Sequence, residues 1–116
     1  MTRKMAIFAR NGDPVAFAHM MLNAIDMKDH GYDVKVIIEG DATKLISLLR
    51  NHTKPFADVY ARFLRHGLVD CVCKACATRN SVVPAVIEQN LKLTEEPSGH
   101  PSMARYMEAG YEVQVA

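Results

Sequence analysis

The sequence lacks both a strong net charge and a long hydrophobic run. Its 14 Lys and Arg residues stand against 13 Asp and Glu residues, which gives a formal net charge of +1. A chain so balanced has no net field to hold a nucleic-acid backbone, so we expect no nucleic-acid partner. The longest apolar-rich stretch, Val15 to Ile25, contains His19 and Asn23 and is too short to cross a bilayer. We therefore expect no membrane partner either.

The N-terminus lacks the apolar segment of a secretory signal, because Arg10 follows closely after the basic start of the chain. The sequence also lacks the cysteine spacing of a secreted disulfide framework, since it has three cysteines, an odd number, and all lie between Cys71 and Cys76. These features favour a cytoplasmic protein. In a reducing compartment, such a cluster is more often reactive or metal-binding than structural.

What is present is the composition of one globular domain. The chain has 116 residues, of which 49% are hydrophobic and 23% are charged. These values exclude a disordered or low-complexity chain and predict a single domain over residues 1–116 with a modest core. Residues 41–80 carry seven basic and three acidic residues. This local excess suits a small anion or an acidic partner better than DNA.

Short apolar runs alternate with amphipathic segments along the chain, and this alternation predicts strands alternating with helices. We expect strands at 5–9, 34–38, 68–73, 91–94 and 111–115, and helices at 14–30, around 45–49, and at 56–64, 74–79, 84–90 and 102–109. Asp13 and Asp41 are the predicted N-caps of the first two helices. Such alternation implies right-handed crossovers, and so a three-layer α/β/α sandwich with a mostly parallel sheet of about five strands.

A chain of this length has little interior in which to bury its apolar side chains. We expect the apolar surface around Phe56, Tyr60 and Phe63 to exceed what one core hides. The sequence therefore predicts a homo-oligomer.

Cys73 is the strongest candidate for a functional residue. Sites in parallel sheets lie at the carboxyl ends of the strands, and Cys73 is expected to end the central strand and open the next helix. A helix N-terminus favours a thiolate, and Lys74 and Arg79 add positive potential nearby. We therefore predict that Cys73 is the most thiolate-like of the cysteines, whereas Cys71, inside the strand, is expected to be a core residue.

Cys76 lies three residues after Cys73 and shares a helical face with it, so it either resolves an oxidised Cys73 as a disulfide or simply packs. The spacing of the two cysteines is also that of half a zinc site or of a thioredoxin-type pair. A structural zinc needs four ligands and no second pair exists, although His66 or His100 could complete a site. Thioredoxin-type pairs normally follow the first strand of their domain, whereas this one follows the third. We expect no metal and no cofactor.

Two further polar residues are weaker candidates. His100 lies in a turn before the last helix, near the expected strand-end edge, where it is either a loop residue or part of the site. Asn11 follows the first strand, where its segment either donates backbone N–H groups to an anion or caps the next helix. The full glycine-rich phosphate pattern is missing there.

The segment Val72 to Arg79 resembles the Val-Cys-x-Ala-Ala-Ala-x-Arg signature of the DsrE/TusD sulfur-relay proteins. Cys76 stands where that signature has its middle alanine. The order of elements is similar to the DsrE/DsrF-like (YchN-like) fold over most of the chain, weakly over residues 82–100. The resemblance implies that Cys73 accepts sulfane sulfur as a persulfide and hands it to a partner protein. It also implies a trimer or hexamer, in some cases with a paralogous subunit.

Three hypotheses follow from these observations. The first is a sulfur carrier, sulfurtransferase-like rather than a multiple-turnover metabolic enzyme, with sulfur-donor and sulfur-acceptor proteins as partners. In it Cys73 bears the persulfide in an anion-binding environment made by Lys74, Arg79, Asn11 and His100. The second is a non-catalytic oligomeric binding subunit whose cysteines are vestigial. The third is a dithiol redox protein that uses Cys73 and Cys76.

Overall fold

The computed structural model describes residues 2–116, in which five strands alternate with helices. In chain order they are β1 (Lys4–Ala9), α1 (Pro14–Asp29), β2 (Asp33–Ile38), α2 (Thr43–Leu48), α3 (Ala57–Arg65), β3 (Val69–Cys73), α4 (Lys74–Arg79), α5 (Val83–Glu88), β4 (Leu93–Thr94), α6 (Met103–Glu108) and β5 (Glu112–Val115). Short 3-10 turns lie at Gly40–Ala42 and Pro97–Gly99. Among the described residues, no helix is long and apolar enough to cross a membrane.

The five strands form one parallel sheet in the order β4-β3-β2-β1-β5. This confirms the predicted α/β/α sandwich. The expectation that Cys73 ends the central strand is wrong, because β2 is central and β3 lies between β2 and the edge strand β4. After β4 the chain crosses back to pair β5 with β1, which leaves two strands on each side of β2.

The helices cover the two faces of the sheet unequally. Side chains of α1 to α5 pack against one face, on Ile7, Val36, Ile38 and Val72. The other face carries a smaller cluster of Ala6, Phe8, Ile37, Cys71 and Tyr106. Tyr106 comes from α6, and its ring meets the Phe8 ring edge-on at 5.6 Å between centroids. Cys71 is therefore a core residue, as its position inside the strand predicts.

One of the two predicted N-caps is confirmed. A carboxylate oxygen of Asp13 accepts a hydrogen bond from the Ala16 N–H at 3.0 Å, at the start of α1. The other is wrong, since Asp41 lies inside the 3-10 turn that leads directly into α2, and its carboxylate faces Lys44 Nζ at 3.4 Å. Because carbonyl groups of that turn accept the Thr43 N–H, α2 begins without a side-chain cap.

The expected apolar surface on α3 is also absent. Tyr60 and Phe63 are 2% and 0% exposed, and Phe56 is half-buried. Phe63 packs edge-on against Phe17 of α1, and the Tyr60 hydroxyl donates a hydrogen bond to Gln89 Oε1 at 2.6 Å. The expectation is wrong because α1 covers this stripe within the same chain. Among the residues whose burial the structure describes, the large apolar side chains that remain exposed are Val15, Leu22, Leu48, Ile87, Met107 and Val115.

We predict that Phe63→Ala lowers the free energy of unfolding by about 3–5 kcal/mol, because it removes a fully buried ring and leaves a cavity against Phe17. Ile87→Ala is the matched control, since Ile87 is 61% exposed and its truncation should change stability by no more than about 0.5 kcal/mol. Urea denaturation followed by circular dichroism measures both. Equal losses in the two variants would contradict this description of the core.

Candidate functional site

A pocket of about 480 Å³ lies at the edge of the sheet where the carboxyl ends of the strands meet. Its wall is built by residues that follow β1 and β2, by α4, and by the segment that leads into α6. The lining residues are Phe8, Arg10, Glu39, Gly40, Cys76, Arg79, His100, Pro101 and Met103. The pocket therefore lies where the parallel topology predicts a site.

Close packing of two loops fixes one side of this pocket. A Cβ atom at Gly12 would lie 2.9 Å from Asp41 Cβ, and Gly40 adopts a positive φ of 56° beside the Arg10 carbonyl. Larger residues would push the loop after β1 away from the loop after β2. This contact sets Arg10 beside Glu39, and the Glu39 Oε2 atom accepts hydrogen bonds from Arg10 Nε at 3.0 Å and Nη2 at 2.6 Å. Glu39 is buried, and Arg10 supplies the charged partner that a buried carboxylate needs.

Cys73 is fully buried at the end of β3 and is the N-cap of α4. Its Sγ accepts a hydrogen bond from the Cys76 N–H at 3.4 Å, and its thiol donates to the Gly99 carbonyl at 3.5 Å. The same Sγ lies 3.4 Å from His100 Nδ1. The strand end thus holds a thiol beside an imidazole, the pairing found at many nucleophilic cysteines.

Burial, together with the hydrogen bond to the Cys76 thiol, raises the pKa of Cys73 to about 11. The direction of this pKa shift is opposite to the one that the helix N-terminus and the basic neighbours predict. The N-terminus of α4 favours the thiolate, but that helix has only six residues, and desolvation of the charge outweighs it. Cys73 is a neutral thiol here at neutral pH.

The two predicted basic neighbours occupy different positions. Lys74 is directed to Glu95, with Nζ 3.3 Å from Oε1, so its charge is shared with a carboxylate at the surface. Arg79 lines the pocket together with Cys76, which is 4% exposed. Among the residues predicted to form the anion-binding environment of Cys73, Arg79 and His100 line the pocket.

Asn11 and His66 are engaged elsewhere. Asn11 Oδ1 accepts a hydrogen bond from the Asp13 N–H at 2.9 Å, which closes the turn before α1 and agrees with the capping interpretation. His66 follows α3, and its Nδ1 lies 2.8 Å from the Arg62 carbonyl. Since His66 precedes β3 and Cys73 ends it, the two residues lie at opposite ends of that strand.

His100 reaches Cys73 because the segment 95–101, between β4 and α6, folds over the end of β3. Gly99 has a φ of 79°, and a Cβ there would lie 3.2 Å from Ala75 Cβ. The segment is tied to α6 by Glu96, whose carboxylate accepts hydrogen bonds from Arg105 at 2.8 and 2.9 Å. These contacts hold the Gly99 carbonyl and the His100 ring over the buried thiol.

Three side chains of this edge are able to hold a metal ion. The ligating atoms of Cys73, Cys76 and His100 all lie within 4.8 Å of one another. The same three groups can also form a disulfide or remove a proton from a thiol. The cluster therefore supports three kinds of chemistry, all of which involve Cys73.

Sequence reasoning missed Arg10 and Glu39 as pocket residues. A signal existed, since each follows directly on a predicted strand, at the edge where strand ends meet. Four other lining residues were also missed. Phe8 and Met103 have the apolar character of core positions, and Gly40 and Pro101 have that of turn residues.

Comparison with known proteins gives relatives whose functions are not characterised. The chain is 32% identical to the uncharacterized protein MJ0733 of Methanocaldococcus jannaschii over 95 residues, which cover 82% of this chain and 75% of that protein. It is 42% identical to an uncharacterized Archaeoglobus fulgidus protein over 43 residues, which cover 37% of this chain and 70% of that protein. No family model matches the sequence.

The fold also occurs in a solved structure, that of the conserved protein of unknown function BT1422 from Bacteroides thetaiotaomicron. The TM-score is 0.74 at 14% identity, over 97% of this chain and 94% of that one. At this identity the likeness concerns the fold alone.

We predict that the alkylation rate of Cys73 keeps rising about tenfold per pH unit from about pH 7 to about pH 10, because only the thiolate reacts and burial holds the thiol neutral. Iodoacetamide labelling with peptide mass mapping measures this rate at each pH, and circular dichroism verifies that the fold persists. Glutathione is the control, since the rate of an ordinary thiol levels off near its pKa of about 8.5. A Cys73 rate that is already constant at neutral pH would contradict the pKa direction.

Proposed function

The chain belongs to the family of the Methanocaldococcus jannaschii protein, and we propose that it is a sulfur carrier that holds sulfane sulfur as a persulfide on Cys73. The observation that carries this proposal is the 3.4 Å contact between Cys73 Sγ and His100 Nδ1 at the wall of a pocket. The resemblance of residues 72–79 to the sulfur-relay signature supports it independently. A reducing compartment such as the cytoplasm suits its three free cysteines.

Uptake of sulfur requires one proton transfer and one displacement. His100 Nδ1 accepts the proton of the Cys73 thiol, and the resulting thiolate attacks the outer sulfur of a persulfide on the donor protein. A sulfur–sulfur bond forms on Cys73 while the donor's sulfur–sulfur bond breaks, and the donor leaves as a thiolate. Delivery is the same reaction with an acceptor thiolate as the attacking group and Cys73 as the leaving group. No external oxidant or reductant is consumed.

The pocket has room and charge for the transferred atom. A sulfur–sulfur bond is about 2.05 Å long, and both neighbours of Cys73 Sγ, Cys76 and His100, line the pocket. The outer sulfur of a persulfide is anionic at neutral pH, so the guanidinium of Arg79 stabilises it from the pocket wall. Arg10 contributes less, because Glu39 neutralises its charge.

The burial of Cys73 fits a carrier better than a general thiol reagent. A neutral, buried thiol reacts slowly with small oxidants and electrophiles, since these need an accessible thiolate. The segment 95–101 covers the thiol and also carries the proton acceptor. The donor persulfide therefore has to approach Cys73 from the pocket side, where His100 already contacts the thiol.

We predict that Cys76→Ala still takes up sulfur from a persulfidated donor or from excess inorganic polysulfide, whereas Cys73→Ser does not, because one nucleophile is enough for relay. Intact-protein mass spectrometry measures the gain of one sulfur atom. Cys71→Ser is the matched control, since Cys71 lies in the core contact with Tyr106 and should not affect loading. Circular dichroism verifies the folding of each variant.

The alternatives correspond to distinct results of the same experiment. If Cys76→Ala folds normally and fails to load, the chain is a dithiol redox protein. The dithiol function is the second candidate because the Cys73 and Cys76 thiols are in contact and have the spacing of a thioredoxin-type pair. If the wild type itself takes up no sulfur, the chain is a non-catalytic binding subunit.

We further propose that the chain assembles as a homo-oligomer, a trimer or hexamer as the resemblance implies, with or without a paralogous subunit. Val15 and Leu22 are exposed seven residues apart on α1, and Val115 is exposed on the edge strand β5. Apolar side chains at these places are available to contact another subunit.

Light scattering at micromolar concentration should give a mass three or six times the 12.9 kDa of one chain. Replacing Leu22 by Glu should lower that mass, because a charge cannot be buried unpaired in an apolar contact. Ile87→Glu, at an exposed position on α5, is the control. A monomeric mass for the wild type would contradict assembly.

A further inference from the structure

We propose that Cys73, Cys76 and His100 form a Zn²⁺ site whose fourth coordination position opens into the pocket. The three ligating atoms lie within 4.8 Å of one another and come from two separate segments of the chain. This inference goes beyond sulfur carriage, since it assigns a metal ligand role to Cys76 and to His100.

The donor set suits zinc. Two thiolates and one imidazole are borderline-soft ligands of the kind that zinc takes in proteins. In a tetrahedral site, Zn–S and Zn–N bonds of about 2.3 and 2.0 Å place the ligand atoms about 3.5–3.8 Å apart. The 3.4 Å between Cys73 Sγ and His100 Nδ1 already fits this spacing. No pair among the three ligating atoms exceeds it by more than about 1 Å, since all lie within 4.8 Å of one another.

The local backbone already supports the first ligand. Cys73 and Cys76 stand at the N-cap and third positions of α4, so both sulfurs are at the same end of the helix. The Cys76 N–H donates to Cys73 Sγ at 3.4 Å, which stabilises a thiolate at that atom. Zinc binding displaces the thiol proton that is now shared with the Gly99 carbonyl. The two thiolates then balance the charge of the ion, with release of two protons.

The open fourth coordination position of the zinc ion favours one class of ligand. Cys76 and His100 line the pocket, so an ion bound to them faces that space. Zinc sites with three protein ligands and one open position bind water or a substrate atom there. The zinc and two thiolates are neutral together, and Arg79 adds a positive charge beside them. The site therefore favours a soft anion as the fourth ligand, such as a thiolate or hydrosulfide.

Cobalt titration of the reduced, metal-free full chain tests the site. We expect one Co²⁺ per chain, with the charge-transfer absorption of cobalt–thiolate bonds and the visible bands of tetrahedral cobalt, both lost when Zn²⁺ displaces it. Cys76→Ala and His100→Ala should each lower Zn²⁺ affinity by more than about 100-fold in competition with a chromophoric chelator, since even outer-shell partners are worth about 10- to 100-fold. Cys71→Ser and His66→Ala should bind as the wild type does.

Absence of cobalt–thiolate absorption in the wild type would overturn the proposal. Wild-type affinity in both Cys76→Ala and His100→Ala would overturn it equally, because the metal would then lie elsewhere. Circular dichroism of the metal-free variants separates a lost ligand from a lost fold. Cys76→Ala also separates this proposal from sulfur carriage, since it should lose zinc and still load sulfur.

Discussion

The common direction of the five strands is the constraint on which the candidate site depends. In a parallel sheet every strand ends at the same edge, so Arg10, Glu39 and Cys73 lie at one edge of the sheet although they are far apart in the sequence. The close approach at Gly12 and Gly40 then fixes the first two loops against one another. A sheet with one of these strands reversed would carry its loop residue to the opposite edge.

The unequal covering of the two sheet faces explains how His100 joins Arg10, Glu39 and Cys73 at this edge. Because α6 is the helix that packs on the second face, the chain must cross the edge of the sheet between β4 and α6. That crossing segment passes over the end of β3 and places His100 on Cys73. The Glu96–Arg105 pair anchors the segment to α6, so the packing of this helix and the geometry of the thiol are coupled.

The sequence predicts those features that are encoded locally. The apolar run that ends at Cys73 and the helix that begins at Lys74 were both identifiable, because a strand and a helix differ in periodicity. Features that arise from tertiary packing were not. The helix N-terminus argued for a thiolate at Cys73, but the desolvation that raises its pKa comes from distant segments. The sequence predicts exposed apolar surface at Tyr60 and Phe63 because the cover that α1 supplies has no local signal.

The neutral state of Cys73 connects the two chemistries proposed for it. A thiol with a raised pKa needs a specific agent to remove its proton, and each proposal supplies one. In sulfur uptake the agent is His100, and in metal binding it is the ion itself, which deprotonates a coordinating thiol outright. Both agents act at the same sulfur and both use His100, so occupation by one excludes the other. Under these two proposals, sulfane sulfur and zinc compete for Cys73, and the thiol buried under the 95–101 segment is the state from which either is reached.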